Sequence, residues 1–307
     1  MLKSSVSRNG RRFVGAIGAF AAAALVLTGC VQNTEGGGGG APGSSGGAEL
    51  DVSVSEAASA LVPEEISSSG TLRVGTDATY APNQYAGPDG EPIGWEVDLV
   101  EAIGDKLGLE VEWSKEGFDQ IIPKVTGGTL DMGSSSFSDT VERQESVDFV
   151  DFYEAGLQYV RGVDVEPLGD SLCGLKIGAQ ATTTSDDYLM AASEECEANG
   201  EAPIELIKKD GQDEATNDVV LGNTDYMLAD SPIAQNSVLQ AEDKIVLEGD
   251  IFEAAPYGFV FAKDTELTDA VQVAVQELID EGTYAQILEE WGVEAGAVDE
   301  AVINGVS

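Results

Sequence analysis

The chain has 307 residues, 42% hydrophobic and 23% charged, the composition of a globular protein with one large domain or two smaller ones. It contains no histidine, which excludes a Ser-His-Asp or Cys-His nucleophile system and a His-ligated zinc. With 15 Lys+Arg against 56 Asp+Glu, the net charge of −41 repels phosphate backbones and argues against nucleic acid as a partner.

Residues 1–29 read as an address. Lys3, Arg8, Arg11 and Arg12 precede an apolar run from Phe13 to Leu27, short for the roughly 30 Å of a bilayer core and of signal-peptide length. Leu27-Thr28-Gly29-Cys30 stands where a cleavage site belongs and resembles a lipobox, in which the cysteine is diacylated and becomes the new N-terminus. From Cys30 to Gly70 the chain is rich in Gly and Ser, with Gly36 to Gly40 unbroken, so a flexible linker is expected over 30–70. The folded part then sits on the extracellular face of a bacterial cytoplasmic membrane, held by a lipid. In that oxidising setting Cys173 and Cys196 are expected to form a structural disulfide.

Downstream, short apolar strands alternate with amphipathic helices, which predicts an α/β fold. Strands are predicted at Leu72–Thr76, Leu109–Trp113, Thr129–Gly133, Leu175–Ala179 and Tyr226–Ala229. Helical spacing joins Val97, Val100, Ile103 and Leu107, then Gln120 to Val125, then Leu267 to Leu278, continuing through Tyr284, Ile287, Leu288 and Trp291.

Ligands of open α/β sheets bind beyond the carboxyl ends of the strands, and here those ends are polar. They carry Asp77 and Tyr80, the run Ser134 to Ser138, the run Gln180 to Ser185, and Asp230. Asp139 and Glu142 have capping-box spacing, and Ser185 precedes Asp186 and Asp187, so both Ser/Thr runs read as helix N-termini. Arg143 lies in the first turns of one, where its guanidinium fork can take a carboxylate. Asp230 is placed to take a cation. An anion site facing a cation site describes a zwitterion.

Gly94-Trp95-Glu96-Val97-Asp98-Leu99-Val100-Glu101-Ala102-Ile103 is similar to the signature of family 3 extracellular solute-binding proteins, the amino-acid receptors of ABC importers. The resemblance runs from Leu72 to about Gly296. It includes Gly75 to Pro82, Phe118 to Pro123, Arg143 with Val147-Asp148-Phe149, Thr183-Thr184-Ser185, Gly211-Gln212-Asp213, Gly222 to Asp225 with Ala229-Asp230, and Gly282-Thr283-Tyr284. It implies a two-lobed periplasmic-binding-protein-like (type 2) fold, with lobe 1 at 71–155 plus 258–296, lobe 2 at 156–257, two crossing strands between them, and a tail at 297–307. It also implies that Arg143 grips a ligand α-carboxylate with help from Ser136, Ser138 and Thr184, beside Thr183. Asp230 would bind the α-ammonium, Tyr80 and Phe118 would wall the ligand, and Asp77 would lie nearer its side chain. Asn83 stands where many members carry Phe, which suggests a more polar pocket wall and a polar ligand side chain.

The resulting expectation is a monomeric, membrane-anchored binding lipoprotein without cofactor, metal or catalytic residue. It would deliver a polar amino acid to an ABC permease and its ATPase. A ligand sensor serving a receptor and a dehydratase-like enzyme on the same fold are the alternatives.

Overall fold

The computed structural model describes residue 50 and residues 52–306. The expected signal peptide, Cys30 and the first part of the expected linker lie outside these residues. Among those described, no helix is long and apolar enough to cross a membrane.

The linker expectation needs correction from residue 52 onward. Two short helices, α1 (Glu56–Ser59) and α2 (Glu64–Ser69), precede the first strand. Ala58 and Val62 are buried in the main apolar cluster, and Ser55 both caps α1 and donates to Glu277 at 2.8 Å. A few apolar residues in this otherwise polar stretch suffice to dock it.

There follow β1 (Thr71–Thr76), the small meander β2 (Thr79–Tyr80), β3 (Gln84–Ala86) and β4 (Pro92–Ile93), then α3 (Trp95–Leu107), β5 (Glu110–Lys115), α4 (Phe118–Thr126), β6 (Met132–Ser138) and the single turn α5 (Val141–Gln144). The long β7 (Val147–Gly162) leads to β8 (Lys176–Gln180), α6 (Thr184–Ala198), β9 (Glu205–Lys209), α7 (Gln212–Leu221), β10 (Tyr226–Asp230) and α8 (Ser231–Gln240). The equally long β11 (Ile245–Ala262) returns to α9 (Glu266–Glu281), α10 (Thr283–Trp291) and β12 (Ala297–Ile303). The predicted strand at 129–133 therefore starts later and runs through the serines. The expected tail forms a strand paired with β7.

The main sheet has the order β5-β1-β6-β11-β7-β10-β8-β9. Its two ends are parallel, β1 with β5 and β6, and β8 with β9 and β10. Between them β7 and β11 run antiparallel for most of their length and slip register between Glu248 and Ala255. At that slip the apolar core divides: Val150, Phe152 and Phe259 pack with α3 and α9 on one side, and Leu157, Val160 and Ile245 pack with β8 and β10 on the other. The molecule is two-lobed, and β7 and β11 are its two crossing strands.

β6 is buried along its whole length, flanked in the sheet by β1 and β11 and packed against α3 and α4. Gly133 makes that possible, because a Cβ there would stand 2.5 Å from Val260 and 2.7 Å from Ile121. In the second lobe Cys173 and Cys196 are bonded, tying α6 to the segment before β8.

Candidate functional site

β1, β6, β8 and β10 all end at the cleft between the lobes, and the residues at or just past those ends are Asp77, Ser138, Gln180 and Asp230. All nine predicted ligand residues line one narrow cavity there, together with Ser135 and Gln180.

Arg143 is the third residue of α5, whose N-cap is Thr140: its Oγ1 accepts the Arg143 N–H at 3.2 Å. The expected capping box from Asp139 to Glu142 does not form, because the Asp139 carboxylate accepts from Gln144 instead. The Arg143 guanidinium donates to the carbonyls of Ser138 at 2.9 Å and Thr182 at 3.3 Å, so it touches both lobes. It also lies 5.7 and 5.6 Å from the ring centroids of Phe118 and Phe137, which stack on each other. Burial lowers its pKa, opposed by the charges of Asp187 and Asp230, and a guanidinium so lowered is still a cation. Among the described residues no carboxylate pairs with it within 4 Å. A partly desolvated cation held only by neutral carbonyls and ring faces is suited to receive a carboxylate from outside.

Across the cleft, α6 begins at Thr183, whose Oγ1 accepts the Asp186 N–H; Ser185, expected nearer the cap, lies inside the helix. Thr184 opens this 15-residue helix, and its hydroxyl stands 3.5 Å from that of Ser138. The positive end of the helix dipole therefore faces the same region as Arg143.

Asp230 is 6% exposed. Its Oδ2 accepts the hydroxyls of Tyr80 and Tyr257, each at 2.7 Å. Burial raises its pKa, while the two tyrosines and the Arg143 charge pull it down.

Asp77 makes a separate electrostatic region. It is 5% exposed, and its Oδ2 accepts Gln180 Nε2 at 2.5 Å from the opposite lobe. Burial raises its pKa to about 6, with the charges of Asp213 and Asp119 adding and hydrogen bonds from Gln180 and Thr79 opposing. Both of those neighbours are exposed acids in the first turns of α7 and α4.

Two expectations are corrected. Ser136 sits at φ +50, and its hydroxyl donates to the buried Glu96 Oε2 at 2.6 Å while accepting from Asn83 Nδ2 at 2.8 Å. Its N–H also goes to Glu96, so Ser136 lines the cavity while its hydroxyl is bonded to the floor beneath. Asn83 is fully buried, bridging Ser136 and the Trp95 indole, and does not line the cavity. A buried amide there organises the floor and is no polar wall.

Reading the sequence also missed contributors. Gln180 and Ser135 lay inside the polar runs already singled out, and strand-end position alone could have promoted them. Glu96 lay inside the signature. Tyr257 had no local signal, since only the antiparallel return of β11 brings it to Asp230.

The family model for bacterial extracellular solute-binding proteins, family 3, matches residues 72–294. The arginine-binding protein ArgT of Corynebacterium glutamicum is 37% identical over 297 residues, 96% of each chain. The lysine/arginine/ornithine-binding periplasmic protein of Escherichia coli strain K12 is 29% identical over 255 residues, 79% of this chain and 94% of its own. Among solved structures, an ancestral arginine-binding protein bound to arginine matches with a TM-score of 0.67 at 32% identity, covering 72% of this chain and 98% of that one. An ancestral amino-acid-binding protein that is a precursor of cyclohexadienyl dehydratase matches with a TM-score of 0.66 at 31% identity, covering 74% of this chain and 97% of its own. With its two lobes, its cleft and this match over most of its length, the chain belongs to the bacterial extracellular solute-binding proteins of family 3.

Proposed function

We propose that the protein captures an amino acid with a cationic side chain, arginine first, and hands it to an ABC permease and its ATPase. The observation that carries this reading is the charge inventory of the cavity: one guanidinium, Arg143, and two buried carboxylates, Asp230 and Asp77. A ligand that neutralises all three brings one carboxylate and two cations, which is a basic amino acid. Arg143, Ser138 and the α6 N-terminus at Thr183 and Thr184 take the α-carboxylate; Asp230 takes the α-ammonium; Asp77 takes the side-chain cation. Tyr80 and Phe118 flank the chain between. The earlier expectation of a merely polar side chain is thereby narrowed, and its argument from Asn83 is dropped. That relatives at 37% and 29% identity are arginine-binding and lysine/arginine/ornithine-binding proteins supports the narrowing.

Binding rather than turnover is the proposed activity, because the two cleft carboxylates are already engaged by tyrosine and glutamine donors. Membrane attachment through diacylated Cys30 completes the proposal and rests on the lipobox-like Leu27 to Cys30.

A thermal-shift screen of the twenty amino acids, ornithine and citrulline tests it. Ligand at about 100 times its Kd stabilises by roughly 2.7 kcal/mol. Arginine, lysine or ornithine should give the largest shifts; a screen in which only neutral or acidic amino acids stabilise the protein, or none does, refutes the reading.

A further inference from the structure

Behind the turn that carries Arg143 lies another pair of acids, which the cleft does not use. Asp139, between β6 and α5, is 1% exposed, and Asp151, midway along β7, is 6% exposed. No ion pair among the described residues includes either. Both accept backbone N–H groups from the segment after β12. Gly305 donates to Asp151 Oδ2 at 3.0 Å and Val306 to Asp139 Oδ2 at 3.3 Å. Gln144, the neighbour of Arg143, closes the ring: its Nε2 donates to the Asp139 carboxylate at 2.8 and 2.9 Å and to the Val306 carbonyl at 2.9 Å. Residues 304–306 are thus a strap across the back of the Arg143 turn.

One atom in this ring lacks a donor. Asp151 Oδ1 is buried without a hydrogen-bond partner, and the charge of Asp139, held by the next residue of the same strap, acts on its carboxyl. Two adjoining carboxylates out of water and without a cation cannot both stay ionised cheaply. The ground beside Asp151 Oδ1 is also crowded, since a Cβ added at Gly258, 2.7 Å from that oxygen, would stand only 2.8 Å from the Phe149 ring. The other charges on the packed elements do not relieve the pair. Asp148 on β7 and Lys263 after β11 pair with each other beside Asn304. On α5, Glu142 is exposed and Arg143 points to the cleft, and on β12 both Asp299 and Glu300 are exposed.

We propose that the folded chain holds a proton on Asp151, which locks the strap of residues 304–306 onto the Arg143 turn and releases it as the pH rises. Burial and the Asp139 charge push Asp151 up to about 7, with the Gly305 N–H opposing. A carboxyl raised in this way stabilises in its protonated form. Its contribution is complete below the ordinary aspartate range, drains away as pH rises toward 7, and is gone above it.

Amide hydrogen exchange on the full chain, corrected for its intrinsic pH dependence, tests this without any ligand, so the outcome is independent of what the cleft binds. Between about pH 6 and pH 8, opening of the Gly305 and Val306 amides in the wild type should increase about tenfold, with the Glu142–Ser146 turn following. Asp151→Asn supplies a permanent donor to Asp139 and should hold the strap at every pH. Asp139→Asn, which removes the neighbouring charge, should flatten the profile as well and serves if the first variant does not fold. A flat wild-type profile, or a variant that keeps the wild-type slope, overturns the proton on Asp151. Recovery of protection at high pH on adding millimolar calcium overturns it too, because the pair would then be a cation site.

Discussion

Tyr80 and Asp230 meet across the cleft: the phenol of one lobe donates to the carboxylate Oδ2 of the other at 2.7 Å. The bond joins the two lobes at the proposed ammonium acceptor. Asp77–Gln180 and Arg143–Thr182 bridge the lobes in the same way.

Arg143→Ala and Asp230→Ala should each weaken binding at least about 30-fold, since truncating one member of a desolvated, hydrogen-bonded charge pair typically costs 2–5 kcal/mol. The ligand-free fold should survive, as judged by circular dichroism. Calorimetry with the α-amide of the ligand supplies the cycle: the amide should bind wild type weakly and lose little more in Arg143→Ala. Equal binding of amide and acid by wild type would remove Arg143 from the carboxylate.

How far this cleft could be read from the sequence depended on where each residue got its context. Arg143, Thr184 and Asp230 belong to motifs that follow strands, so their convergence was legible. Asn83 was assigned to a wall although it lies in the floor, and Ser136 lines the cavity with its hydroxyl turned to Glu96 beneath it. The Ser136 hydroxyl is bonded to Glu96 and Asn83, 40 and 53 positions away, pairings that no local pattern encodes. Tyr257 and the strap at 304–306 depend on partners more than 25 and 150 residues away, and no local pattern encodes pairings of that range. The helices at 56–69 were hidden by the Gly/Ser-rich composition before them.

Cys173→Ser should lower stability by about 3 kcal/mol, the loop-closure value for a separation of 23 residues. In a domain of this size that is a fall of roughly 6–12 °C in Tm. Arginine affinity should change little, because the bond lies at the far end of α6 from Thr184. Scanning calorimetry with and without ligand reads both; unchanged stability would contradict a structural role.

Cys30→Ala should release the protein from membranes into the medium, read by fractionation and immunoblot. A diacyl anchor supplies two chains where one gives only marginal attachment. Retention of the variant in the membrane fraction would refute anchoring at this cysteine.

Affinity for a cationic side chain should rise as pH passes upward through about 6, where the Asp77 carboxyl ionises. Below that value it should fall by up to about tenfold per pH unit. Asp77→Asn should remove this dependence while leaving the α-carboxylate contacts intact, and titration calorimetry across the window decides it. The same slope in wild type and variant would assign the titration elsewhere.

The most direct test sets arginine against citrulline, which has nearly the same shape without the side-chain charge, by calorimetry at neutral pH. If Asp77 holds the side-chain cation, wild type should prefer arginine by at least about 30-fold and Asp77→Asn should lose most of that preference. Equal affinity of wild type for the two would mean that the cleft is not built for a basic amino acid.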